Sequence, residues 1–334
     1  MSWAITGGSG FLGLHLARRL LADGRTVRSL DLEPSELPEV EARLGDVRRR
    51  EDARWLVQGA DVLVHAAAAL PIRGPARALH SVNVDGTRAV LAAAAEAGVR
   101  RAILISSAVV YGLQPGPIGE HAAPKPIEPY GRSKLESERV ALGLGAVVLR
   151  PTAFVGPGRL GVFGILFDWI REGRRIYTLG RGYNRYQLLA IDDLVEAVLT
   201  AAERPVTGQT FNLGATSFGT VAVDLGELIR RAGSPSRVTP LPVRPARVVL
   251  AGLAAAGLSP LSAWHYRSAG ENVVLDVSKA ERELGWRPRR SNAEALWDAY
   301  AWYVANREQV SRSDGSTHLA PWREKALGLA RRLS

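Results

Sequence analysis

Seven residues near the start of the chain, Gly7-Gly8-Ser9-Gly10-Phe11-Leu12-Gly13, restrict its fold more than any other feature. They follow the short apolar segment Ser2-Trp3-Ala4-Ile5-Thr6. After them Leu14, Leu16, Ala17, Leu20 and Leu21 repeat at helical spacing, and Gly24 closes the helix. Val27 to Leu30 then reads as a second buried strand that ends on Asp31. Strand, glycine turn, helix and strand make a βαβ unit. Glycines let the backbone turn tightly and approach a pyrophosphate, and the helix N-terminus offers it N–H groups and a positive dipole end. Three glycines can also simply make a turn; their placement, with an acid downstream, favours a dinucleotide. Asp31 lies 18 residues beyond Gly13. An acid there accepts the adenosine ribose hydroxyls and repels a 2′-phosphate, which predicts NAD rather than NADP.

The alternation continues. Val62-Leu63-Val64-His65 and Ala102-Ile103-Leu104-Ile105 are continuous apolar runs, as parallel strands require when both faces are covered. A helix is expected over Val84 to Ala97, ended by Gly98, and another strand at Val147-Val148-Leu149. The fold class expected is α/β: a Rossmann-type doubly wound parallel sheet with a smaller, mostly helical C-terminal substrate domain. Residues 1–155, rejoined by about 188–202, form the NAD-binding part. Residues 156–187 and 203–305 form the substrate-binding part. Residues 306–334 form a linker and a helical tail, with Trp322, Ala326, Leu329 and Leu333 on one face.

Composition narrows the function. The chain has 334 residues and no cysteine, which excludes a disulfide framework and thiolate metal sites. Its six histidines show no metal-binding spacing, so no metal is expected. A formal charge of +10 looks like a nucleic-acid signature, but it is spread thinly, mostly as arginine. A solvated surface that favours an anionic small molecule is the better reading, with no nucleic acid as partner. No leader segment and no apolar run of about 18 residues is evident, so a cytoplasmic protein without a transmembrane segment is expected.

Two features carry chemistry. The strand Ile103–Ile105 runs into Ser106-Ser107, at the carboxyl end of a parallel strand, where such sheets bind ligands. Further on comes Tyr130-Gly131-Arg132-Ser133-Lys134, with Tyr130 and Lys134 four apart on one helix face. An ammonium beside a phenol lowers its pKa, so Tyr130 is expected to exchange a proton with an alcohol or ketone while a hydride moves to or from nicotinamide. Ser107 can hold the substrate oxygen by a hydrogen bond. Alone, each pattern is more often a cap or a snorkelling lysine; in order, after a nucleotide turn, they point to catalysis.

The chain resembles an extended short-chain dehydrogenase/reductase, of the NAD-dependent epimerase/dehydratase and 3β-hydroxysteroid-dehydrogenase-like superfamily. The marks span residues 2 to about 305: Thr6–Gly13, Asp31, Gly45-Asp46-Val47, His65–Ala68, Asn83–Thr87, Ser106–Gly112, Tyr130–Lys134, Leu149-Arg150-Pro151, Gly156-Pro157-Gly158 and Asp276–Pro288. The resemblance implies that Gly7, Gly10, Phe11, Leu12 and Gly13 cradle the pyrophosphate. Asp31 takes the ribose, and Asp46 with Val47 the adenine. Ala66, Ala67, Ala68 and Asn83 line the nicotinamide half, together with Ser107 and Tyr130. Lys134 bonds the nicotinamide ribose, and Pro151 with Thr152 presses on the ring. His65 is expected to be a strand-end residue bonded to backbone, and Asp192-Asp193 to be structural.

The substrate is less defined. Sugar-nucleotide members usually carry an Asn where this chain has Ala153, and commonly an Arg where it has Tyr186, with Arg185 adjacent. The apolar segment Arg244–Leu261, expected as a buried helix flanking the pocket, resembles the hydroxysteroid branch. Against this, Arg159, Arg174, Arg175, Arg181, Arg185 and Arg267 would suit a diphosphate. An alcohol/ketone oxidoreductase is therefore favoured over a UDP-sugar 4-epimerase with tightly bound NAD, and both over a catalytically silent NAD-binding scaffold. A homodimer is expected.

Overall fold

In the computed structural model, residues 1–70, 76–256 and 263–312 are described. The first six strands are β1 (Ser2–Thr6), β2 (Thr26–Asp31), β3 (Glu41–Leu44), β4 (Val62–His65), β5 (Arg101–Ile105) and β6 (Val147–Pro151). The later ones are β7 (Ala153–Val155), β8 (Ile176–Leu179), β9 (Leu188–Ala190), β10 (Thr210–Leu213) and β11 (Val238–Leu241). Seven of them form one parallel sheet in the order β10-β6-β5-β4-β1-β2-β3. The order reverses beside β1, so the carboxyl ends of β1 and β4 open on the crevice where such sheets bind ligands.

Helices α1 (Phe11–Ala22), α2 (Arg50–Val57), α3 (Ala76–His80), α4 (Gly86–Glu96) and α5 (Pro129–Gly143) lie between the early strands. They are followed by α6 (Gly161–Arg171), α7 (Ile191–Glu203), α8 (Val221–Arg231), α9 (Val243–Ala255), α10 (Ala263–Ser268), α11 (Asn292–Ala305) and α12 (Arg307–Arg312). Two cores sandwich the sheet. Trp3, Ile5, Val62, Val64, Ile103 and Val147 point to α1 and α7, while Ala4, Leu63, Leu104 and Val148 point to α2, α4 and α5. Both faces are covered, which is why the central positions of these strands are apolar on both sides. A third core of Phe167, Ile170, Leu228, Leu296 and Tyr300 joins α6, α8 and α11.

Three local differences from the expected elements stand out. Thr210–Leu213, expected in the substrate-binding part, is the edge strand of the nucleotide sheet. Phe211 pairs with Leu149, and Phe211 and Leu213 enter the same core as Trp286 and Leu284 from the far end of the chain. The helix expected from Val84 opens as a π turn over Ser81–Asp85, where the hydroxyls of Thr87 and Ser137 both donate to the Asn83 carbonyl. Finally, α9 is not buried. No described side chain on it is buried, and Val248 is 72% exposed, because it walls an open cavity instead of packing on a core. The end of that expected helix, residues 257–261, and the expected tail beyond 312 lie outside the described residues. Among the described residues no helix is long and apolar enough to cross a membrane.

Candidate active site

One cavity of about 1350 Å³ runs from the glycine turn to α9. Its nucleotide end is shaped by backbone. A Cβ on Gly13 would stand 2.0 Å from the Gly7 carbonyl oxygen, and one on Gly7, at φ +74°, 2.8 Å from the Ala67 amide. Only glycine permits this approach. Gly10 precedes α1 without a side-chain cap, so the helix start opens on the cavity. The Asp31 carboxylate, at the end of β2, accepts from the Ser9 amide at 2.9 Å and the Glu33 amide at 3.2 Å. Each oxygen keeps a lone pair for a ribose hydroxyl. Asp46 and Val47 also line this end; Arg48 donates to the Asp46 carboxyl and holds it below its usual range.

Ala66, Ala67, Ala68, Pro151 and Thr152 line the middle of the cavity. The Thr152 hydroxyl is buried without a hydrogen-bond partner, a polar atom awaiting a ligand. Asn83 stands behind the wall and does not line it. Its amide exchanges bonds with Ala69 N at 2.7 Å and Ala69 O at 3.2 Å, and donates to Ser133 Oγ at 2.9 Å. It therefore positions the 66–69 segment. His65 is structural, but its partners are side chains: Thr6 Oγ1 at 2.6 Å and Thr87 Oγ1 at 3.0 Å. Burial pushes its pKa down to about 3.

Ser107, Tyr130 and Lys134 all face this cavity. Ser107 follows β5 by two residues and caps a short turn over Ala108–Tyr111, accepting from the Val109 amide at 3.3 Å. Pro129 opens α5, and Tyr130 and Lys134 occupy successive turns. Gly131, not singled out by sequence, lets these elements meet: a Cβ there would lie 3.0 Å from the Val109 carbonyl oxygen. Behind them runs a buried chain. Ser106 Oγ donates to Glu138, Arg150 pairs with Glu138 at 2.6 Å and donates to the Tyr111 hydroxyl at 2.7 Å, and Tyr111 donates to Asn212 Oδ1 at 2.9 Å. These bonds tie α5 to β5, β6 and β10.

The expected lowering of the Tyr130 phenol by Lys134 is not found. Burial pushes it up to about 12, and the cation opposing that rise is Arg159, not Lys134. The Lys134 ammonium donates to the Ile105 carbonyl at 2.8 Å, and its own pKa falls with burial to about 8.

The far end of the cavity is apolar. Leu160, Phe163, Leu166, Trp169, Tyr177, Leu250, Leu253 and Trp264 form much of it. Tyr186 lines it, its hydroxyl accepting from Trp264 Nε1 at 3.3 Å. Arg185 points elsewhere, 4.5 Å from the Phe218 ring. Of the six arginines that could have served a diphosphate, Arg159 alone lines the cavity among the described residues. Sequence periodicity could not show that Trp264 and His265, more than 130 residues after Tyr130, complete the same wall.

A profile of the "NAD dependent epimerase/dehydratase family" matches residues 3–214. The chain belongs to that family. As an extended short-chain dehydrogenase/reductase it is an NAD-dependent enzyme, and the glycine cradle, the Asp31 carboxylate and the orphaned Thr152 hydroxyl fit that cofactor. A sterol demethylase protein B of Methylococcus capsulatus is 30% identical over 91% of this chain and 98% of its own. A 4-hydroxy-2-methyl-3-oxo-4-farnesyl-3,4-dihydroquinoline-1-oxide ketoreductase of Stigmatella aurantiaca is also 30% identical, covering 87% of this chain and 93% of its own. The crystal structure of a UDP-glucose 4-epimerase of Thermotoga maritima superposes with a TM-score of 0.75, at 25% identity over 92% of this chain and 99% of that one.

Proposed function

We propose that the enzyme moves a hydride between NAD and an alcohol or ketone carbon of a large apolar molecule, with Ser107, Tyr130 and Lys134 as its catalytic residues. The observation that carries this reading is the apolar far end of the cavity, with Arg48 and Arg159 the two arginines on the cavity wall among the described residues and Arg48 already paired with Asp46. A nucleotide diphosphate needs several charge-assisted bonds, and neither Ala153 nor Tyr186 supplies one. The two relatives named for a sterol and a farnesylated ketone act on comparable molecules.

Bound NAD(H) supplies the hydride donor or acceptor. Ser107 donates a hydrogen bond to the substrate oxygen and fixes it toward Tyr130. Tyr130, whose proton is held more tightly by burial, gives that proton to a ketone oxygen in reduction and takes it back in oxidation. Lys134, anchored to the Ile105 carbonyl, would hold the nicotinamide ribose by hydrogen bonding. The apolar walls exclude water, which strengthens each of these interactions.

A second reading, UDP-sugar 4-epimerisation, is favoured by the superposition with the Thermotoga enzyme. The proposed chemistry is tested with Tyr130→Phe, following NADH consumption with a panel of apolar ketones. Turnover is expected to fall by ~10²–10⁴ with NAD(H) affinity retained. Near-normal turnover in this variant overturns the assignment.

A further inference from the structure

Where the glycine turn meets the apolar end, the cavity holds a charge that no described side chain balances. The Arg159 guanidinium carbon lies 4.6 Å from the Phe154 ring centre and 5.3 Å from that of Phe11, so two aromatic faces cradle it without neutralising it. The other cations on the wall are engaged: Arg48 with Asp46, and Lys134 with the Ile105 carbonyl. Among the described residues no carboxylate lies within ion-pair distance of Arg159, and no acceptor takes a hydrogen bond from it. Arg159, Tyr130 and His265 line the same cavity, and the charge of Arg159 acts on both of the others. Burial lowers its pKa only to about 10, so it stays charged at neutral pH. Arg159 is half-buried and faces the cavity, and its guanidinium is a planar fork shaped for a carboxylate.

We propose that Arg159 anchors a carboxylate of the substrate, next to the carbon that reacts at Tyr130, so that the enzyme selects apolar hydroxy or oxo acids over neutral analogues. The proposal rests on the functional reading above for the identity of the reacting carbon. It adds a specificity-determining residue that stands outside the Ser107, Tyr130 and Lys134 set.

The test is a binding measurement on the enzyme loaded with NADH, where a hydroxy acid cannot be oxidised. The probes are 3-hydroxydodecanoate and its methyl ester, followed by calorimetry. The wild type is expected to bind the acid about tenfold to a hundredfold more tightly than the ester. Arg159→Met should bring the two to equal affinity, Arg159→Lys should keep part of the preference, and NADH affinity should be unchanged in both. If Arg159→Met does not fold, as judged by its thermal transition, the partial loss in Arg159→Lys carries the test. Equal affinities in the wild type overturn the proposal. So does an acid preference that survives Arg159→Met while NADH binding weakens, which assigns the guanidinium to the cofactor phosphates. No turnover enters, so Tyr130→Phe should keep the acid preference even if the catalytic assignment fails.

Discussion

The two ends of the cavity are built by different means. At the nucleotide end the shape is set by backbone: glycines at contact distance, a helix start, and a carboxylate fixed by two amides. At the far end it is set by side chains from α6, α9 and α10, and α9 contributes no buried described residue. Backbone geometry is specific and tolerates little change, whereas an apolar wall can change by single side chains at small cost. The first end therefore recognises one invariant molecule, and the second can be remade for different substrates within one family.

The largest expected effect is at the buried pair behind Ser107, Tyr130 and Lys134, where the two ends meet. Glu138→Ala leaves the Arg150 guanidinium buried without its carboxylate and is expected to cost about 3–5 kcal/mol, read by chemical denaturation. A loss comparable to that of a surface ion pair would show that the wall carrying Tyr130 and Lys134 is not held from behind.

Gly13→Ala comes next. Its methyl would meet the Gly7 carbonyl, so about 1–3 kcal/mol of stability should be lost, with NADH affinity falling in a fluorescence titration. Unchanged binding would mean that the glycine turn does not cradle the cofactor.

The third test concerns the Asp31 carboxylate. Asp31→Ala should weaken NAD(H) about tenfold and erode the preference over NADP(H). Equal affinity for both cofactors in the unmodified protein would contradict the assignment.

The smallest effect is expected on α9. Val248→Ser, at a position 72% exposed, should change stability by no more than about 0.5 kcal/mol. A cooperative loss above that would show that α9 is packed like the sheet helices.

The same contrast explains what was legible in the sequence. β1, α1 and β2, with Asp31 closing β2, follow from local periodicity and glycine placement within one short segment. Ser107, Tyr130 and Lys134 could be located because strand end and helix start each carry a local signature. Thr210–Leu213 was not placed correctly, because a short apolar strand does not reveal its pairing partner, here some sixty residues back at β6. Asn83 falls in the right neighbourhood but on the supporting side of the wall, a distinction of a few ångströms that spacing cannot resolve. The exposed state of α9 escaped for a related reason. Apolar composition predicts burial, and whether the buried surface is a core or a ligand depends on partners far away in the chain. Arg159 was one of six arginines, and only the fold separates it from the other five.

The account is tested most directly by giving the purified enzyme both classes of substrate in parallel. With NADH and a hydrophobic ketosteroid such as androstenedione, NADH should be consumed stoichiometrically with alcohol formed, and Tyr130→Phe should suppress it. With UDP-glucose and no added cofactor, no UDP-galactose should appear. Epimer accumulating without net NADH, together with no consumption on any apolar ketone, would contradict the division of labour between the two ends and assign the cavity to a nucleotide sugar.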